Sequence, residues 1–205
     1  MIRHLVSLAL LFCLFLGSVG AQERPVTAFD TSYRASPSIS ARLQREFLTE
    51  LRWSAGAEVR DRFAQAFEER SPSQIWQGLV AADGLSTGNV ADALTAYWVL
   101  NWVTANAAYS TRVDSAPVKR QLELAFSADA KFKTTTDQQR QELAEGYILD
   151  FLVQHAALNE AVERKDVRSL NQLANAAVRR FRQDMGVNLL ALVPGPNGFQ
   201  SRPAD

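Results

Sequence analysis

The chain has 205 residues and sets 22 lysines and arginines against 22 aspartates and glutamates, so no charge excess points to nucleic acid, anionic lipid or a highly charged substrate. Its one cysteine, Cys13, and one of its two histidines, His4, lie in a segment, residues 1–21, that reads as a secretory signal peptide. Beyond it there is no thiol and a single imidazole, His155, which excludes disulfides, thiol nucleophiles and Cys/His zinc sites within one processed chain.

The signal assignment rests on Arg3 and His4, the apolar run Leu5 to Leu16, and Val19 and Ala21 placed for cleavage before Gln22. Leu11 and Phe12 stand where a lipoprotein acceptor at Cys13 would need small residues. The expected location is therefore periplasmic or secreted, with no membrane span after cleavage. Residues 22–35 read as an extended leader, with Phe29 and Tyr33 available to pin it to the body.

Helical signals then follow in order across residues 36–193. Ser36-Pro37 resembles a cap with proline at the first helical position, and Ile39, Leu43, Phe47 and Leu51 continue it to about Ser54. Gly56 separates this from a helix over Ala57–Arg70 that buries Val59, Phe63 and Phe67. Ser71-Pro72 starts a short helix ending at Asp83-Gly84. Residues 89–109 come next, with Asn89 as cap and Asp92 near the positive end of the helix dipole. Nine of the eleven residues from Ala93 to Val103 are apolar, placed at nearly every angle around the helix. Such a helix belongs in an interior, and Thr95 and Asn101 break the run well short of the roughly 18 apolar residues a membrane span needs.

Further helices are predicted over Ala116–Ala130 and over Asp137–Arg164, the latter opened by a capping box of Thr136 and Gln139. The long one carries an inward stripe of Leu143, Tyr147, Phe151, His155 or Leu158, and Val162. Asp166 and Ser169 start the last helix, which Gly186 ends. Val187 to Val193 reads as one more apolar turn, and residues 194–205 as a loop and flexible tail in which Phe199 docks. No segment of appreciable length alternates with period two, so no sheet is expected. The fold class is all-α: a single bundle of about seven helices around the buried central helix.

Few residues carry a chemical signal. Trp98 and Trp102 share one helical face and, with Tyr97 and Tyr109, form either a wall for an apolar ligand or ordinary core. Asn101 either orients a ligand in an apolar cleft or bonds to a neighbouring helix and fixes its register. Glu142 and Glu145 are spaced as a carboxylate pair that could divide into acid and base, or that simply solvates the start of a helix. His155 reads as a half-buried structural histidine, and Arg179, Arg180 and Arg182 as at most a patch for an acidic partner. No cofactor and no metal is expected.

Three segments carry a resemblance: NVADALTAYWVLNW from Asn89, QQRQELAEGYILDF from Gln138 to Phe151, and GVNLLALVPGPNGF from Gly186 to Phe199. Together they resemble an uncharacterised family of secreted bacterial all-helical proteins, a domain of unknown function. The resemblance implies export and a helical fold, and it transfers no functional residues. The expected function is a non-enzymatic binding or interaction domain of the cell envelope, its partner an envelope protein or a small apolar ligand. The alternatives are a bundle holding an apolar or aromatic molecule beside Trp98, Asn101 and Trp102, and a carboxylate hydrolase of cell-wall glycan.

Overall fold

A computed structural model describes residues 29–203; the signal-peptide assignment lies outside them. Among the described residues there are eight helices: α1 (Pro37–Ser54), α2 (Ala57–Glu69), α3 (Pro72–Val80), α4 (Val90–Ala105), α5 (Ser115–Ala128), α6 (Ala130–Lys133), α7 (Asp137–Glu163) and α8 (Val167–Met185). A hairpin of β1 (Leu192–Gly195) and β2 (Gly198–Ser201) follows.

The central helix is as apolar inside the fold as its sequence requires. Every residue of α4 from Val90 to Trp98 is buried, as are Leu100, Asn101, Trp102 and Thr104. It packs against α7 most extensively, then against α8 and α5, so three sides are covered by helices. Its start is built as the sequence suggests: the Asn89 side chain accepts from the Asp92 backbone N–H at 3.1 Å. The Asp92 carboxylate is itself only 1 % exposed; it accepts from the Ser86 N–H and hydroxyl and pairs with the Lys119 ammonium. The helix stops at Ala105, short of Tyr109, with Asn106 as its C-cap.

The described part of the leader, residues 29–35, is held to the body by backbone bonds as well as by an aromatic contact. Tyr33 N–H donates to the Gly88 carbonyl, Val90 N–H to the Thr31 carbonyl, and Phe29 lies edge-on to Phe132 at 6.1 Å. Phe132 in turn is anchored by α6, a turn that Asp129 caps through the Lys131 and Phe132 N–H groups.

Two expectations need correction. The inward stripe of α7 holds only in part: Phe151 and Leu158 are buried, but Val162 is exposed and Leu143 and Tyr147 are only half-buried, while Gln141, Ala144, Glu145, Ile148, Leu149 and Leu152 are buried as well. Because α1, α3, α4 and α8 all touch α7, its buried arc is broad and shifted. Two polar residues fall inside that arc because the chain entering α1 has backbone groups to satisfy. The Gln141 amide accepts from the Ser36 N–H and donates to the Ser36 carbonyl and to Glu145.

The second correction is the small sheet. The end of what reads as an apolar turn, Leu192 and Val193, and residues read as a loop and tail pair antiparallel, Leu192 with Ser201 through Gly195 with Gly198. The free edge of β2 is satisfied by a side chain: the Gln121 amide on α5 donates to the Phe199 carbonyl and accepts its N–H, both at 2.8 Å. Gly198 is required there, since its φ of 101° is left-handed and a Cβ would collide with Gln121. Phe199 docks, as expected, against Trp98 and Trp102.

Candidate functional site

The indoles are core. Trp98 is 1 % exposed, stacked on Phe199 with centroids 6.0 Å apart and edge-on to Phe181 at 5.5 Å. Trp102 is 6 % exposed, lies 5.6 Å from Phe199, and donates its Nε1–H to the Leu192 carbonyl at 3.0 Å. Rings of the protein occupy the space a ligand would need.

Asn101, also fully buried, is satisfied within the chain. Its Nδ2 donates to the Tyr97 carbonyl at 2.8 Å, and its Oδ1 accepts from Arg180 Nη1 of α8 at 3.0 Å. That bond joins two helices and sets their relative register. Arg180 also reaches the Tyr97 hydroxyl at 3.4 Å, so one arginine of the basic trio turns inward while Arg179 and Arg182 face water.

Glu142 and Glu145 are not brought together. Glu145 is 7 % exposed, accepts from the Ser40 hydroxyl and from Gln141, and borders a recess of about 330 Å³ where α1 and α3 begin. Glu142 pairs with Arg42 and opens onto a different and larger cleft. His155 is half-buried and stacks on Phe151 at 5.5 Å; burial pushes its ionisation down.

The larger cleft, about 510 Å³, runs between α1, α7 and α8. Its apolar floor is Leu43, Phe47, Leu51, Leu149 and Val153. Its walls carry Glu46 and Glu50 from α1, Glu142 and Asp150 from α7, and Asp184 from α8, against the single positive charge of Arg180. Gly146 faces this space from the middle of α7, and a Cβ added to it would meet nothing within 4 Å.

The electrostatics follow from that crowding. Water reaches Asp150 from the mouth of the cleft, but surrounding protein strips part of its hydration and pushes its pKa up to about 6. Arg180 opposes the shift; Glu50 and Asp184 add to it. Behind Asp150, burial and the Asp150 charge push Tyr97 up to about 12, and burial likewise raises Tyr147, whose ring lies 5.2 Å from that of Tyr97. A polar path thus leads from the cleft through Arg180 and Gln154 to Tyr97 and Asn101. Sequence reasoning found Asn101 and Glu142 but missed Asp150, Arg180 and Asp184 as a group; they stand on two helices and come together only when α8 packs back along α7. Among the described residues no grouping of His, Cys, Asp and Glu fits a metal ion, and no helix is long and apolar enough to cross a membrane.

No curated protein and no solved structure matches the chain. The sequence model of one protein family matches residues 19–202, which takes in every helix and the hairpin, and the chain therefore belongs to DUF6683, a family of unknown function.

Proposed function

We propose that the protein is an exported, non-enzymatic binding domain of the cell envelope that takes its ligand in the α1–α7–α8 cleft. One observation carries the binding role: an open cleft of about 510 Å³ with an apolar floor and polar walls. That volume lies within the roughly 300–1,000 Å³ of small-molecule sites. Export is supported by the pattern of Arg3, Leu5 to Leu16, Val19 and Ala21.

Native mass spectrometry of protein purified from the envelope of the producing cell tests the binding role. The wild type should carry a small-molecule adduct, and Gly146→Leu, which places a side chain in the cleft, should lose it. Bare wild-type protein in every charge state refutes the reading. For export, the N-terminal residue of the envelope fraction should be Gln22; an intact Met1 confined to the cytoplasm is the contrary result.

A second reading, a carboxylate hydrolase of cell-wall glycan, keeps one supporting observation: Asp150, its ionisation held up to about 6, sits beside Glu50 and Asp184. Glu142 and Glu145 do not serve it, because they open onto different cavities. A wall-lytic activity abolished by Asp150→Asn, with stability retained, would promote this reading; the same activity in both proteins would remove it.

A further inference from the structure

Asp92, in the first turn of α4, is the least exposed carboxylate among the described residues, and a lysine amine is set against it. Lys119 Nζ of α5 lies 2.5 Å from Asp92 Oδ1, yet among the described residues that buried oxygen takes part in no hydrogen bond. The other oxygen, Oδ2, accepts two, from the Ser86 N–H at 3.1 Å and the Ser86 hydroxyl at 2.9 Å. Leu85, Val90, Val118 and Leu122, chain neighbours of the three residues, all belong to the core. A buried ion pair gives up hydration that the attraction between its members returns only in part. Joining the two groups as an amide removes both charges from that place.

The parts that such a condensation needs stand together. Oδ2 is held by two donors, as the oxygen of a tetrahedral intermediate must be. Oδ1 has no hydrogen bond to lose, and it is the oxygen that faces the amine. Glu123 lies one turn beyond Lys119 on α5 and feels the charges of both Lys119 and Asp92. Partial burial raises its ionisation, which strengthens it as a proton acceptor. We propose that Lys119 and Asp92 condense to an intramolecular amide, with Glu123 carrying a proton from the amine to the departing oxygen. The ammonium first gives one proton to Glu123, and the neutral Nζ attacks Cγ of Asp92. The Nζ–Cγ bond forms and the Cγ–Oδ1 bond breaks. Oδ1 leaves as water with two of the three ammonium hydrogens, one of them returned by Glu123, and no other reagent is consumed. The ion pair is the state into which the chain folds, and the amide is its product. The bond ties the start of α4 to α5, a brace that the single cysteine of the chain cannot supply as an internal disulfide.

Peptide mapping of the full chain by mass spectrometry under denaturing conditions tests this. Trypsin cuts after Arg70, Arg112 and Arg120 but not after an acylated lysine. The wild type, kept folded until its mass is constant, should yield a branched species in which residues 71–112 and 113–120 are joined. Its mass should fall short of the two peptides together by one water. Lys119→Arg keeps a positive charge beside Asp92 but brings no attacking amine, so its peptides should be unjoined. Glu123→Gln should slow the joining about a hundredfold. Recovery of all wild-type protein as separate peptides 71–112 and 113–119 overturns the proposal. A water loss confined to Asp83-Gly84, where an aspartate can cyclise onto the next backbone nitrogen, overturns it too. Joining that proceeds as fast in Glu123→Gln as in the wild type overturns the proton transfer assigned to Glu123.

Discussion

Replacing Gly146 with alanine should make the protein more stable. The residue sits well inside α7, with no left-handed backbone angle to require glycine, and the added methyl would meet nothing within 4 Å. Alanine is better than glycine in a helix interior by about 0.8–1 kcal/mol, chiefly because it narrows the unfolded ensemble. Packing subtracts nothing, and the methyl, bordering open cleft, gains little from burial. The net expectation is about 0.5–1 kcal/mol, or a rise in Tm of about 1–4 °C for a domain of this size. Urea denaturation should show a higher midpoint with an unchanged slope. Gly78 of α3, exposed and equally uncrowded, is the control, and its alanine variant should gain a similar amount. A loss of stability at Gly146 beside a gain at Gly78 would refute the reasoning, because it would mean that the cleft is filled by the protein itself.

Trp102→Ala should cost about 3–5 kcal/mol, the usual range for a buried aromatic; a melting temperature within error of the wild type would show that α4 is not the core. Lys119→Ala should cost about 1–3 kcal/mol in urea denaturation, since it strips the buried Asp92 carboxylate of its ammonium, and Lys119→Arg should recover most of that; no difference between the two variants would discount the pairing. Asp150 gives a pH dependence whose sign follows from its raised pKa. The folded state holds this proton more tightly than the unfolded one, so its contribution to stability falls as pH rises from its ordinary 3.8 to about 6 and is level above that. Urea midpoints should decline more from pH 3.8 to about 6 in the wild type than in Asp150→Asn and run parallel above that; parallel curves throughout would contradict the assignment.

What the sequence made legible was local. Asn89, Thr136 with Gln139, and Asp166 with Ser169 cap the helices they were expected to cap, because capping is decided within three or four residues. The dryness of α4 was legible too, since its apolar residues face every direction. Asn101 could be seen to need a partner, but Arg180, 79 residues away, could not be named, because it depends on how α8 returns along α4. The arc of α7 was legible only in part, at Phe151 and Leu158, for a related reason. A stripe argument assumes one neighbour, whereas four helices touch α7, and its buried Gln141 and Glu145 look like solvating residues until the backbone at Ser36 is beside them. The hairpin has four-residue strands, too short for alternation to register, and its second edge is completed by a glutamine side chain.

The indole of Trp102 is held by a carbonyl made 90 residues later, and the ring that closes over it, Phe199, comes later still. During synthesis, the most water-averse helix of the chain is complete long before its cover has emerged. Long-range closure of this kind slows folding and lengthens the period in which bare apolar surface can associate with other chains. A nonsense codon or a protease acting near residue 190 would leave that period permanent, and quality control would meet the product as a sticky, unfinished body rather than as a slightly shorter protein.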